Sequence, residues 1–148
     1  MNEIFLQTYD ISDLKLLKSA AEQIGNILPQ NALVLMAGEM GSGKTTFVAE
    51  FCKLKGIMIV QSPTYAIHQR YHSDLLEIDH FDLYRLESED ELQASGFYDL
   101  LHADDSMKFI EWSEKLIDYD FSGFENVFKL KFQRSGERRT VTLLKLSL

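Results

Sequence analysis

The sequence predicts an α/β fold: a mixed sheet flanked by helices and extended by antiparallel hairpins. Three observations lead to it. Residues 32–37 (ALVLMA) form a short run that is apolar on both faces, the pattern of a strand buried inside a parallel or mixed sheet. That run passes directly into the glycine-rich GEMGSGKT and then into a helical segment, so strand, loop and helix are consecutive. Near the end of the chain, 127–132 and 140–146 alternate around the turn Arg134-Ser135-Gly136, the signature of a hairpin.

The elements follow in order. From 12 to 28 the apolar positions Leu14, Leu17, Ala20, Ala21, Ile24 and Leu28 recur at three and four residues, which predicts a helix with Ser12 as N-cap and Pro29 just past its end. After the strand 32–37 and its glycine loop, Phe47, Val48, Phe51, Cys52 and Leu54 give a second helix over 46–55, stopped by Gly56. A short strand is expected at 58–60. The segments 65–71 and 75–83, joined at His72-Ser73-Asp74, predict a hairpin on the flank of the sheet. The acidic stretch 87–93 predicts a short surface helix before a turn at Gly96, and 107–110 (MKFI) a further strand ending at Glu111-Trp112. No internal repeat, low-complexity tract or linker interrupts the chain, so 1–148 is expected to be a single domain.

Composition narrows the function classes. With 15 Lys+Arg against 23 Asp+Glu, the net charge is −8. Such a surface argues against unassisted binding to nucleic acid or anionic membrane, which depends on basic charge and counterion release. The chain is 45% hydrophobic and 11% aromatic, enough for a core without staples. Its one cysteine, Cys52, cannot form an internal disulfide and is expected to pack in the core. Residues 1–7 carry Glu3 where a signal peptide would be basic, and the longest apolar run falls far short of the roughly 20 residues that span a bilayer. A cytoplasmic location and no membrane role are expected.

Residues 38–45, Gly38-Glu39-Met40-Gly41-Ser42-Gly43-Lys44-Thr45, match GxxxxGK[ST] in full, the P-loop. Average composition gives such a match in a chain of this length about half a per cent of the time, and here both flanks are also correct. Glycines let successive N–H groups turn toward phosphate, and the following helix adds the partial positive charge of its N-terminus. Lys44 would reach the β- and γ-phosphates and the Thr45 hydroxyl would ligate magnesium. The fold class is therefore a P-loop NTPase-like mixed sheet with antiparallel hairpin additions.

Such a site also needs a carboxylate for the metal, usually at the end of a neighbouring strand. Glu111 closes an apolar strand in the manner of a Walker B acid and is favoured as the metal-side group. Asp82, in HFDLYR, is a second acid near the γ-phosphate or the attacking water. Ser62-Pro63-Thr64 alone reads better as an ordinary turn than as a γ-phosphate switch. Arg85 is either a charge-stabilising arginine or a partner for Glu87 or Glu89, and His80 is more simply structural than a base. Trp112 is either buried beside the acid it follows or exposed as an interface anchor. A zinc site is not supported. With no NKxD guanine-reading motif, ATP is the expected nucleotide, and without a helicase tract a nucleic-acid motor is disfavoured.

GEMGSGKTTF at 38–47, SPTY at 62–65, HFDLYRL at 80–86 and the EW pair at 111–112, in this order and spacing, resemble the TsaE (YjeE) family. The resemblance covers roughly 12–112 firmly and the C-terminal hairpin loosely. It implies a small ATPase, weak alone, required for the threonylcarbamoyladenosine modification of the tRNA adenosine next to the anticodon. Such an ATPase associates with the transferase TsaD and its partner TsaB and resets that complex between cycles. Residue by residue, it gives the triphosphate to Gly38, Glu39, Met40, Gly41, Ser42, Gly43, Lys44, Thr45 and Thr46, magnesium to Thr45 and Glu111, and the switch role to Thr64. It places Asp82 at the active centre and makes Tyr84, Arg85 and Trp112 candidates for coupling hydrolysis to the partner. In the family the N-terminal segment and last hairpin help enclose the adenine. Here 8–12 and 134–139 occupy those places without a sharp motif. Direct tRNA binding is not expected, because the partners would hold the RNA.

Two other readings share the P-loop. A small-molecule kinase would need an acceptor pocket and an arginine-rich lid, for which the acidic 87–91 (ESEDE) is poorly suited. A nucleotide-sensing binding module would have no need of Asp82 and Glu111.

Overall fold

A computed structural model describes residues 2–58, 67–103 and 105–147. Its elements are β1 (Asn2–Asp10), α1 (Leu14–Ile27), β2 (Leu33–Ala37), α2 (Lys44–Leu54), β3 (His68–His72), β4 (Glu77–Asp82), α3 (Glu89–Ala94), α4 (Phe97–His102), β5 (Met107–Glu111), β6 (Val127–Ser135) and β7 (Arg138–Ser147). The described strands form one seven-stranded sheet in the order β1-β7-β6-β2-β5-β4-β3. β2 runs parallel to both β5 and β6, and β4 parallel to β5. The antiparallel hairpins β3–β4 and β6–β7 extend this centre on either side, with β1 antiparallel to β7 at one edge. The mixed sheet with hairpin additions is thus the architecture the sequence predicts.

β2 is apolar throughout because both its faces are covered. Val34 and Met36 point into a core shared with Leu17, Ala21 and Ile24 of α1 and Phe47, Val48 and Phe51 of α2. Leu33 and Leu35 point into a second core with Leu92, Phe97, Leu101 and Leu116. Burying each such side chain contributes roughly 1.5 to 3 kcal/mol. Helices therefore cover both faces, and β2 enters its glycine loop from the middle of the sheet. Cys52 is buried on α2, as its pattern predicts, and burial pushes its thiol up to about 12.

Two local expectations change and two elements are added. Asp13, not Ser12, caps α1: its carboxylate accepts the Leu16 N–H at 2.8 Å. Ser12 instead donates to Asp10 Oδ1 at 2.6 Å and accepts the Arg139 N–H at 3.0 Å, tying the entry of α1 to β7. Helix α2 begins at Lys44, two residues earlier than the apolar spacing indicates, because the loop's last glycine is already its N-cap. β1 is a strand that apolar alternation does not announce, since eight of its nine residues are exposed and its backbone ladder to β7 defines it. α4 is a further short helix beyond the predicted Gly96 turn, anchored by Phe97 and Leu101. The predicted strand 58–60 and the start of 65–71 fall largely on residues 59–66, outside the described residues.

Candidate nucleotide site

The loop between β2 and α2 is shaped by glycine. Gly38 has φ 151°, and a Cβ there would lie 2.8 Å from both the Cβ and the carbonyl oxygen of Phe132. Gly43, with φ 111°, turns the chain into the helix. The Ser42 N–H donates to the Glu39 carbonyl at 3.2 Å, closing the loop on itself. This geometry lets the loop curl tightly over β6 and directs the first turn of α2 at its mouth.

Lys44 is 5% exposed. Its ammonium donates to the Gly38 carbonyl and lies 3.8 Å from the centroid of the Trp112 ring. Burial pushes the ammonium below its ordinary value, partly offset by Glu114, Glu111 and Asp82 nearby. The Thr45 hydroxyl donates to Glu111 Oε1 at 3.0 Å, with Oε2 at 3.2 Å. Glu111 closes β5 and is almost wholly buried. Its neighbour in the parallel register is Asp82, at the end of β4, so two adjacent strands deliver two acids to one edge of the loop. Asp82 Oδ1 accepts the Tyr84 N–H at 3.0 Å, and the Tyr84 ring packs on Trp112 with centroids 5.0 Å apart.

The turn after β5 is equally constrained. Trp112 is the one described non-glycine residue with positive φ, 60°. Ser113 holds that turn by donating from its hydroxyl to the Met36 carbonyl at 3.1 Å, and Lys115 donates to the carbonyls of Tyr84 and Leu86. The two loops that carry the predicted acids are thereby stapled together.

These groups border a cleft of about 470 Å³, a volume suited to a small organic ligand. Met40, Gly41, Gly43, Lys44, Thr45 and Thr46 line it from the P-loop side, and Asp82, Tyr84, Glu111 and Trp112 from the strand ends. Gly38, Glu39 and Ser42 are not part of this lining, Ser42 being buried inside the loop and Glu39 exposed, and Arg85 is exposed outside it. Thr64 lies outside the described residues. The far wall consists of Ser12, Asp13, Leu14, Leu17 and Arg139, from the start of α1 and from β7. Sequence motifs gave no sharp indication of this wall, because Arg139 reaches it only through the long β6–β7 hairpin.

The residues present fit an anion with a divalent cation. Ser42 Oγ, inside the loop, and Arg139 Nε, at the wall, are buried polar atoms without a hydrogen-bond partner among the described residues. Both are donors, as a phosphate chain requires. The oxygen set of Thr45 and Glu111 suits a hard cation such as magnesium. Among the described residues no group of three or more His, Cys, Asp and Glu could hold a metal alone, so the cation would need further ligands, as magnesium on a nucleotide has.

His80 is fully buried behind Glu111, with Nε2 2.5 Å from Glu111 Oε2. It is not a base facing the cleft.

A family described as Threonylcarbamoyl adenosine biosynthesis protein TsaE matches residues 11–141. Proteins named tRNA threonylcarbamoyladenosine biosynthesis protein TsaE are similar in sequence. The one from Borreliella burgdorferi is 34% identical over 116 residues, 78% of this chain and 83% of that protein. The one from Haemophilus influenzae is 38% identical over 110 residues, covering 72% and 68%. The one from Rickettsia conorii is 37% identical over 100 residues, 66% of this chain but only 55% of that longer protein. The crystal structure of Bacillus subtilis YdiB superposes with a TM-score of 0.69 at 20% identity, over 99% of this chain and 89% of the other, a likeness of fold.

Proposed function

The chain belongs to the TsaE family of threonylcarbamoyl adenosine biosynthesis proteins, and from that premise we propose that it is a magnesium-dependent ATPase acting in the threonylcarbamoyladenosine modification of tRNA. The modified base is the adenosine next to the anticodon, and the partners are TsaD and TsaB. The observation that carries the reading is the Thr45–Glu111 pair at 3.0 Å, one residue beyond Lys44 on the same helix turn.

Placement supports the proposed roles of the described residues, and the family resemblance alone supports that of Thr64. The loop from Gly38 to Thr46 wraps the triphosphate, and Lys44 places positive charge on its β- and γ-phosphates. Thr45 and Glu111 would hold magnesium, which supplies charge neutralisation to the transferring phosphoryl group. Asp82, beside Glu111 in register, is assigned as the second acid near the γ-phosphate or the attacking water. Thr64 is assigned the γ-phosphate switch. Tyr84, packed on Trp112, links this centre to the protein surface, since Tyr84 is 48% exposed. We assign 1–148 to one domain and the protein to the cytoplasm. Among the described residues no helix is long and apolar enough to cross a membrane. Direct tRNA contact is not part of the proposal, in keeping with the −8 charge.

The test is phosphate release from ATP with magnesium, alone and with TsaB and TsaD, for the native protein and Lys44→Ala. Weak release alone, stimulation by the partners and loss of both in the variant are expected. Phosphate transfer to a metabolite would instead indicate a kinase, and binding without turnover in any mixture a nucleotide sensor.

A further inference from the structure

A row of side chains crosses three strands behind the cleft. Tyr71 on β3 has its hydroxyl 3.3 Å from His80 Nδ1 on β4. His80 Nε2 lies 2.5 Å from Glu111 Oε2 on β5, and the Glu111 carboxylate accepts the Thr45 hydroxyl at the start of α2. Tyr71 and His80 are buried and neither lines the cleft, so neither can touch a ligand there. A carboxylate only accepts hydrogen bonds, so Nε2 must donate to Glu111, which directs Nδ1 at the Tyr71 hydroxyl. Both ring nitrogens are therefore committed, and the plane of the imidazole is fixed.

We infer that His80, oriented by Tyr71, is a positioning residue that presets the Glu111 carboxylate for a divalent cation beside Thr45. The inference rests on the reading of Glu111 as the metal-side acid. Thr45 approaches both carboxylate oxygens at 3.0 and 3.2 Å and so does little to choose between them. The His80 bond falls on Oε2 alone and breaks that symmetry. Among the described residues, Oε1 is left with only the Thr45 hydroxyl that would share its cation. Partners of this kind, one bond behind a ligand, govern its orientation and commonly change metal affinity by about 10- to 100-fold when removed.

The test compares two amides at position 80. His80→Gln puts an N–H donor near the place of Nε2, whereas His80→Asn puts it near Nδ1 and leaves Glu111 without its donor. The readout is Mn²⁺ affinity in the presence of ADP, from the free-ion electron paramagnetic resonance signal, with ADP affinity in EDTA as the metal-free control. His80→Asn is expected to weaken Mn²⁺ binding about 10-fold or more, and His80→Gln to stay within about threefold of native. Metal-free ADP affinity should be unchanged in both. Equal Mn²⁺ affinity for the two amides overturns the inference. Glu111→Gln separates the two levels: if it leaves Mn²⁺ affinity unchanged, the reading of Glu111 fails; if it weakens binding while His80→Asn does not, only the positioning role fails. Should His80→Asn not fold by circular dichroism, Tyr71→Phe decides. It is expected to weaken Mn²⁺ binding about two- to fivefold through the loosened ring, and native affinity in that variant overturns the inference.

Discussion

The ammonium of Lys44 lies 3.8 Å from the centroid of the Trp112 ring while donating to the carbonyl of Gly38. The P-loop lysine is thus held between its own loop and the residue that follows Glu111. A cation over an indole face is worth about 0.5 to 2 kcal/mol, enough to bias the lysine's position without trapping it.

Trp112 is the only tryptophan, so emission from the native protein reports this contact directly. Lys44→Ala should change the emission of the nucleotide-free protein, and Lys53→Ala, at the far end of α2, should not. Identical spectra for native protein and Lys44→Ala would place the ammonium away from the ring.

Asp79 gives a stability signature that depends on pH. Burial pushes its carboxyl up, but hydrogen bonds from His68, Arg70 and Ser106 outweigh this and hold it well below the usual carboxylate range. With the folded value depressed, the stabilisation is fully present above the unfolded value near 4 and is lost as pH falls below it. Asp79→Asn should cost about 2 to 3 kcal/mol at pH 7 by urea unfolding. The gap between native and variant should narrow at pH 3.

Gly38→Ala should destabilise by about 1 to 3 kcal/mol, because the new methyl meets the Phe132 backbone at a φ that L-residues avoid. Gly123→Ala is the control: its φ is not in the left-handed region and a Cβ there has nothing within 4 Å. Its thermal midpoint should move by less than that of Gly38→Ala, and equal shifts would rule out a close approach at Gly38.

Cys52 should resist thiol reagents in the native state. Its side chain is fully buried and its thiol is pushed up to about 12, so little thiolate forms at pH 8. Titration with a chromogenic disulfide at pH 8 should show slow reaction without denaturant and one rapid equivalent in urea.

The parts of the fold that were legible in sequence are those where burial writes itself into residue type. β2 is apolar on both faces because helices cover both, and the P-loop glycines are required by close approaches such as Gly38 to Phe132. Glu111 was recognisable because it closes an apolar strand, and Asp82 because it follows a strand within HFDLYR. β1 was not, since it is an edge strand with exposed side chains, defined by backbone pairing to β7. α4 was missed because six residues with a glycine N-cap offer no capping side chain and only one i,i+4 apolar pair, Phe97 and Leu101. Ser12 and Asp13 are both good N-caps, and the choice between them is made by Arg139, 126 residues beyond Asp13. The Tyr71–His80–Glu111 row is non-local in the same way: each residue is unremarkable alone, and only the order β3-β4-β5 makes them neighbours.

The assignment of Thr45 and Glu111 as the metal-side pair of an ATPase is tested most directly by Glu111→Gln. Its magnesium-dependent phosphate release should be measured at saturating ATP with TsaB and TsaD present. A fall of about 100-fold or more, from loss of the metal's charge stabilisation, with ADP affinity in EDTA preserved, is the expected result; full magnesium-dependent turnover in Glu111→Gln would contradict it.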